Sequence, residues 1–297
     1  MTSTTSDNLD IARPGWLPRD VWPYKIRTAH FDDKPVSYTD EGSGPALLLV
    51  HDGMWSYVWG QLIKELVDDF RVITLDFPGS GISPGAETEV SLQQDSRLLG
   101  RFVDHLGLDS FTLVVHDLGG SVGLGMAVQR PDAIDGLVLI NTFAWPPDSK
   151  GLRRMLGILS SKPMTALNGA TGLIPKLSSG SFGVGKHLDR PARQAFIHPL
   201  RQASARRRFH GLMGSALTET GFLGKVAVGL EESLKSKSVL TIYGERNDPF
   251  GFQEKFREYF ANTSEMVVAK GNHFPMCDDP VAVAEAIREW HRGVRVD

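Results

Sequence analysis

Asp117, Asp248 and His273 follow one another at the C-terminal ends of three predicted strands, in the chain order nucleophile, acid, histidine. The first lies in TLVVHDLGGSVGLGMAV (residues 112–128), where a run of strand residues breaks at an aspartate into a glycine-rich helix start. A strand, a sharp turn and a helix project the turn residue above a sheet, and the helix N-terminus behind it favours negative charge. Gly119 and Gly120 let that helix come close to its neighbours. Aspartate is ionised near pH 7 and displaces a leaving group from saturated carbon directly, which leaves an ester that an activated water can cleave. A serine in its place would leave an ether. The chemistry this predicts is hydrolysis at sp3 carbon, of a C–halogen bond or an epoxide C–O bond. The competing reading, in which Asp117 only caps the helix, is available to any aspartate at this position, and the residues that follow count against it.

Beyond a long interruption, YGERNDPFG offers Asp248 and KGNHFPMCDDP offers His273, each after a predicted strand, where open α/β sheets build their sites. An acid could instead follow the strand GLVLIN, but that position is Asn141, which carries no charge to stabilise an imidazolium; Asp248 is therefore assigned as the partner, and Asn141 as a group that either supports the site from behind or faces substrate. His30 and His105 fall on an edge strand and a helix and are read as structural, and His116 as a support for the elbow. The loop HDGMWSYVW supplies Gly53 or Met54 which, with Leu118, would provide backbone N–H groups for a tetrahedral oxyanion. DFPGSGISP (76–84) reads as a tight structural turn.

The elements that must position these groups alternate along the chain. YKIRTAHF and KPVSYTDEG form an antiparallel pair around DDK, and ALLLV (46–50), RVITLD (71–76), FTLVVH (111–116) and GLVLIN (136–141) are short apolar runs of the kind buried on both faces. Helical patterns separate them at 56–68, 91–107 and 119–130. This is an α/β class: a mostly parallel central sheet flanked by helices. From 145 to 231 the alternation fails in favour of helical pieces and Gly/Ser-rich breaks, then resumes with SVLTIYG, a helix near 251–260, SEMVVA and a final amphipathic helix. The implied organisation is an N-terminal extension (1–22), a core (23–144 and 232–297) and an inserted helical cap (145–231).

With 297 residues, 41% hydrophobic content and a net charge of −3, the chain has the composition of a globular domain with no electrostatic pull towards nucleic acid or anionic membranes. The basic run Arg206–Arg208 reads as a solvated helix face. One cysteine, Cys277, leaves no intrachain disulfide, and no apolar run is long enough for a membrane span, so a soluble cytoplasmic enzyme is expected. Its partners are expected to be a small apolar electrophile and water, with no metal or organic cofactor.

Taken together, HDGMWSYVW, DFPGSGISP, LVVHDLGGSVGL, LVLINTFAWPP, YGERNDPF and GNHF make the chain resemble the α/β-hydrolase fold enzymes, most nearly the haloalkane dehalogenases and their epoxide hydrolase relatives. The resemblance runs over about residues 24–297 apart from the cap. It implies that Asp117 is the nucleophile, that His273 activates water, that Asp248 is its partner and that the insertion covers the pocket. Two departures stand out. Dehalogenases usually carry a halide-binding tryptophan after the nucleophile, where this chain has Leu118, and a donor in the loop that here reads HDGM. Trp55 and Trp145 are the available substitutes. Epoxide hydrolases use cap tyrosines, yet all five tyrosines here (24, 38, 57, 243 and 259) lie outside 145–231, which leaves His187, His198 and His210 in that region. A third class of function is a hydrolase fold that only binds a small molecule.

Overall fold

The apolar runs assemble into one eight-stranded sheet in the computed structural model, which describes residues 13–32, 34–85, 90–181, 183–186 and 188–294. The strands are β1 (Arg27–Phe31), β2 (Lys34–Glu41), β3 (Ala46–Asp52), β4 (Arg71–Asp76), β5 (Phe111–Asp117), β6 (Ile134–Thr142), β7 (Ser238–Gly244) and β8 (Asn262–Val268), in spatial order β1-β2-β4-β3-β5-β6-β7-β8. β1, β2 and β4 pair antiparallel and every other pairing is parallel. The helices are α1 (Gly60–Leu66), α2 (Leu92–His105), α3 (Leu118–Ala127), α4 (Lys150–Ser160), α5 (Lys162–Thr171), α6 (Leu173–Ser178), α7 (Arg190–Leu200), α8 (Ala203–Thr218), α9 (Thr220–Glu232), α10 (Phe252–Tyr259), α11 (Pro275–Asp278) and α12 (Pro280–Val294). None of them is long and apolar enough to cross a membrane.

Side chains alternate across β5 as the two-residue strand period requires. Leu113 and Val115 join Leu99 and Phe102 of α2 and Val122 of α3 on one face, while Val114 joins Leu62 and Ile63 of α1 and Ile287 of α12 on the other. Each of these fully buried aliphatic chains contributes about 1.5–3 kcal/mol by leaving water, which is why near-continuous apolar strands end up covered on both sides. The parallel strands β5 to β8, which carry Asp117, Asn141 and the loop before His273, are thereby fixed with their C-terminal ends at one edge.

α4, α6 and α8 lie over that edge and contribute cavity-lining residues. The expected cap also contained α9, but this helix packs on α3 of the core: a Cβ on Gly125 would meet the Phe222 ring at 2.5 Å, and one on Gly229 would meet Val128 at 2.7 Å. Much of the expected N-terminal extension lies outside the described residues. Its described part, from Arg13, is packed against the core, with Leu17 and Trp22 buried and the Arg13 guanidinium donating to the carbonyls of Trp22 (2.6 Å) and Tyr24 (2.8 Å).

Candidate active site

Asp117 ends β5 with φ 51° and ψ −135°, a conformation an L-residue adopts at a cost of about 1–3 kcal/mol. It occupies the N-cap position of α3, yet its side chain accepts no capping hydrogen bond from the helix. The strain is held by close packing on both sides. A Cβ on Gly119 would lie 2.5 Å from the Val50 carbonyl oxygen of β3, and one on Gly120 would lie 1.8 Å from Thr142 Oγ1 of β6. Thr142 Oγ1 in turn donates to the Asp117 carbonyl at 2.5 Å. The glycines that mark this stretch in the sequence are therefore required by the approach of α3 to the sheet.

The freed carboxylate points at the histidine. His273 Nε2 lies 3.7 Å from Asp117 Oδ1, and both side chains line a cavity of about 310 Å3 between the sheet edge and the overlying helices. The cavity wall is mainly apolar: Leu118, Phe143 and Phe274 from the core, and Leu156, Leu177 and Met213 from α4, α6 and α8. A larger cleft of about 540 Å3 beside α2 and α8 is lined by Asp32, Arg97, Arg101 and Arg207 and includes neither Asp117 nor His273, so the smaller cavity is the one that matters for the elbow.

The assignment of Asp248 as the partner of His273 is corrected by the structure. Both Asp248 carboxylate oxygens face the start of α10, accepting from the backbone N–H of Phe252 (2.7 Å) and Gln253 (2.9 Å). The residue at His273 Nδ1 is Asn247, whose Oδ1 lies at 2.9 Å. Its orientation is determined by a chain of donors. The backbone N–H of Gly244 donates to Asn141 Oδ1 at 2.9 Å, which turns Asn141 Nδ2 towards Asn247 Oδ1 at 2.6 Å and the Asn247 carbonyl at 3.0 Å. Asn247 Oδ1 is thus an acceptor, His273 carries its proton on Nδ1, and the Nε2 lone pair faces Asp117. Asn141, predicted to face substrate, does line the cavity and also organises this relay from a left-handed backbone position at φ 38°.

His116 supports the site as expected. Fully buried, it donates from Nε2 to the His273 carbonyl at 2.6 Å and so holds the backbone that carries the base. Its pKa lies well below the usual imidazole range because burial disfavours the cation and His273 and His51 add to that. Burial, with a smaller contribution from His273, likewise holds His51 down to about 3.

The predicted oxyanion and leaving-group donors divide. Gly53, at φ 97°, sits beside Asp117 Oδ2, but its N–H is already donated to Asp52 Oδ1 at 2.9 Å. Met54 and Leu118 both line the cavity, and as the first residue of α3 Leu118 has an N–H with no acceptor inside its helix. The two tryptophans do not reach the cavity. Trp55 is buried and donates from Nε1 to the Phe196 carbonyl at 3.0 Å, and Trp145 is stacked on Tyr259 at 5.6 Å with Lys255 Nζ 4.6 Å above its ring. Of the cap histidines, His210 is buried between Asn168 Nδ2 (3.0 Å) and the Leu159 carbonyl (2.5 Å) and is no surface residue; His198 is exposed against Trp16, and His187 lies outside the described residues. Ser178 of α6 and Asn247 line the cavity, and neither the hydroxyl nor Asn247 Nδ2 has a hydrogen-bond partner among the described residues.

A buried ion network lies beside the loop that follows β3, and it corrects the reading of Arg206–Arg208 as a solvated face at Arg208, while Arg207 is exposed and Arg206 half-buried. Arg208 of α8 is 5% exposed and donates to Asp52 Oδ1 (2.7 and 3.1 Å), Asp95 Oδ2 of α2 (2.7 Å) and the Pro78 carbonyl (3.3 Å). Burial pushes the Asp52 carboxyl up to about 7, with Arg208 pulling the other way and Asp95 adding to the rise. Since β3 and β5 run in register, Asp52 is paired directly with Asp117. No signal in the sequence singled out Asp52 or Asp95; for Asn247 the signal was its place as the third residue past Gly244.

A family model described as the alpha/beta hydrolase fold matches residues 45–280. The chain belongs to the α/β-hydrolase fold family. This α/β-hydrolase is 28% identical over 276 residues to haloalkane dehalogenase 2 of Mycobacterium tuberculosis, covering 91% of this chain and 96% of that protein. It is 26% identical over 299 residues to the cis-3-alkyl-4-alkyloxetan-2-one decarboxylase of Xanthomonas campestris pv. campestris, covering 90% and 96% of the two chains. Among solved structures, an epoxide hydrolase superposes with a TM-score of 0.77 at 19% identity, covering 91% of this α/β-hydrolase and 99% of its own chain, which shows the shared fold.

Proposed function

We propose that this α/β-hydrolase cleaves a small apolar electrophile at saturated carbon, with Asp117 as nucleophile and a covalent alkyl ester as intermediate. Hydrolytic dehalogenation is the reading the site supports best. One observation carries it: a strained aspartate in a capping position gives up the cap and directs its carboxylate to His273 Nε2 at 3.7 Å inside an apolar cavity. Attack by an Asp117 oxygen forms the C–O bond as the C–X bond breaks and X departs with its electrons. Water then adds to the Asp117 ester carbonyl while His273 Nε2 takes its proton, and the backbone N–H groups of Met54 and Leu118 receive the oxyanion. Collapse expels the alkoxide, which takes the proton back from the imidazolium and leaves as an alcohol. The similarity to haloalkane dehalogenase 2 agrees with this scheme.

A specific feature favours a second reading, the opening of a strained C–O ring such as an epoxide. The tryptophan donors that would stabilise a departing halide are absent: Leu118 is apolar, and Trp55 and Trp145 are turned away from the cavity. Ring strain lowers the demand for such donors, and Ser178 or Asn247 offers a hydrogen bond to a developing alkoxide.

His273→Phe removes the base and leaves the nucleophile. Incubated with a panel of bromoalkanes and terminal epoxides, this variant is expected to gain the alkyl or the whole epoxide mass, mapped to Asp117 by peptide mass spectrometry, and Asp117→Ala in the same background is expected to gain nothing. Adducts with epoxides alone select the second reading. No adduct in a correctly folded variant makes the chain a small-molecule-binding member of the fold.

A further inference from the structure

We infer that the alkyl ester on Asp117 is the long-lived species in this protein's cycle, because the histidine that must hydrolyse it is held by neutral amides where a carboxylate would be needed to stabilise its charged form. The inference rests on Asp117 being the nucleophile.

Two side chains at the sheet edge lead to His273 Nδ1, one from the end of β6 and one from the turn after β7. Both are asparagines here, Asn141 and Asn247, and the two are joined in a single hydrogen-bonded relay that ends on His273 Nδ1. The relay preserves geometry. It fixes the ring orientation and puts the proton on Nδ1, leaving Nε2 as a base. Charge is what it lacks. The neighbouring carboxylate, Asp248, is committed through both oxygens to the first turn of α10.

The two half-reactions feel this differently. In the first, Asp117 attacks as an anion and His273 transfers no proton, so the missing charge on the relay does not slow it. In the second, His273 Nε2 takes a proton from water and becomes an imidazolium at the stage when Asp117 is an uncharged ester. The carboxylate 3.7 Å from Nε2 has been consumed as an anion by the first step, and among the described residues no carboxylate hydrogen bonds the ring. His116 stands beside it, its ring centroid 4.8 Å from that of His273 and 4.9 Å from that of His51, and burial keeps both of these rings neutral, so neither supplies a negative charge. Alkylation therefore outruns hydrolysis, and the ester accumulates. An asparagine in place of the triad carboxylate of a serine protease lowers turnover by about 10^4-fold by imposing the wrong tautomer; here the tautomer is kept and only the charge is missing, so the loss is smaller than that.

The test mixes wild-type protein rapidly with 1-bromohexane and, in parallel, with 1,2-epoxyhexane, following bromide release and intact mass. The expected result is a burst of about one bromide per chain, followed by slow turnover, with the hexyl adduct dominating the mass spectrum of wild-type protein at steady state. Asn247→Asp places a carboxylate where His273 Nδ1 and Asn141 Nδ2 already donate. It is expected to raise the slow rate at least about tenfold relative to the bromide burst and to deplete the adduct, a shift in the ratio of the two phases that a merely structural role of Asn247 would not produce. Linear release with no adduct in wild-type protein overturns the inference while leaving the nucleophile assignment intact. No adduct with either probe in wild-type, Asn247→Asp or His273→Phe protein overturns the nucleophile assignment and the inference with it. The wild-type burst needs no variant to fold, so it decides the matter even if Asn247→Asp does not.

Discussion

Asn247 and Asp248 are neighbours in one turn, and a choice between them made on charge alone falls on the aspartate. The turn decides otherwise. Asn247 N–H donates back to the Gly244 carbonyl at 2.9 Å, which places residue 247 over the sheet edge beside His273 and carries residue 248 on to the start of α10. The meeting of Asp117 and His273 was legible because the strands they follow, β5 and β8, fix where their side chains lie. The partner of His273 depended on a backbone rotation within four residues, for which side-chain type is a poor guide. Asp248→Ala therefore distinguishes a cap from a catalytic acid. It is expected to lower stability by about 0.5–2 kcal/mol, the loss typical of a missing helix cap, read as a shift in denaturant midpoint. The rates at which the Asp117 adduct forms and clears should remain those of the wild type; a hydrolysis rate that falls by orders of magnitude would restore Asp248 to the triad.

Among the elements, β3, β5 and α3 form the unit that makes the elbow, and most of it was visible in advance. Apolar runs long enough for a strand and too short for a helix, followed by paired glycines, allow few other arrangements. The order of strands at the edge and the return of α9 to pack on α3 were not visible, since both depend on contacts between distant segments. The same unit buries two imidazoles, because β3 and β5 pair His51 with His116 in register. Neither ring nitrogen of His51 has a hydrogen-bond partner among the described residues, and burial holds its pKa down to about 3. The unfolded chain binds a proton there below about pH 6.5 while the folded chain does not, so stability falls as pH drops from 6.5 towards 3. His51→Phe keeps an aromatic ring between His116 and Phe274 and abolishes that uptake. Between pH 6.5 and 5 the wild type is expected to lose up to about 2 kcal/mol more than His51→Phe, at about 1.4 kcal/mol per pH unit, measured as the difference in denaturant midpoints. Buried carboxyls with raised pKa values, Asp52 and Asp76, act in the opposite direction in both proteins and cancel in the comparison.

At the scale of the whole molecule, Arg208 ties the helices above the cavity to the core below it. Its run of three arginines looks like a wetted helix surface because the carboxylates that bury it, Asp52 and Asp95, lie far away in sequence, on β3 and α2. One guanidinium between two buried carboxylates, with Asp52 also holding the Gly53 N–H, couples the seating of α8 to the loop proposed to supply an oxyanion donor. Removing the cation alone leaves two buried acids unpaired, so Arg208→Met is expected to cost about 3–5 kcal/mol. The loss should shrink as pH falls below 7, because a protonated carboxyl needs no cation beside it and Asp52 is already pushed up to about 7. Replacing the whole group, as Arg208→Met with Asp52→Asn and Asp95→Asn, removes the unpaired charges and should recover most of that stability, since buried ion networks exchanged as a unit are often close to neutral. Denaturant midpoints at pH 8 and pH 5.5, with limited proteolysis of the 145–218 segment as a report on cap docking, separate the two cases. If the single and triple variants were equally destabilised at both pH values, the role of Arg208 would be packing by its aliphatic stem, and the electrostatic tie between cap and oxyanion loop would not exist.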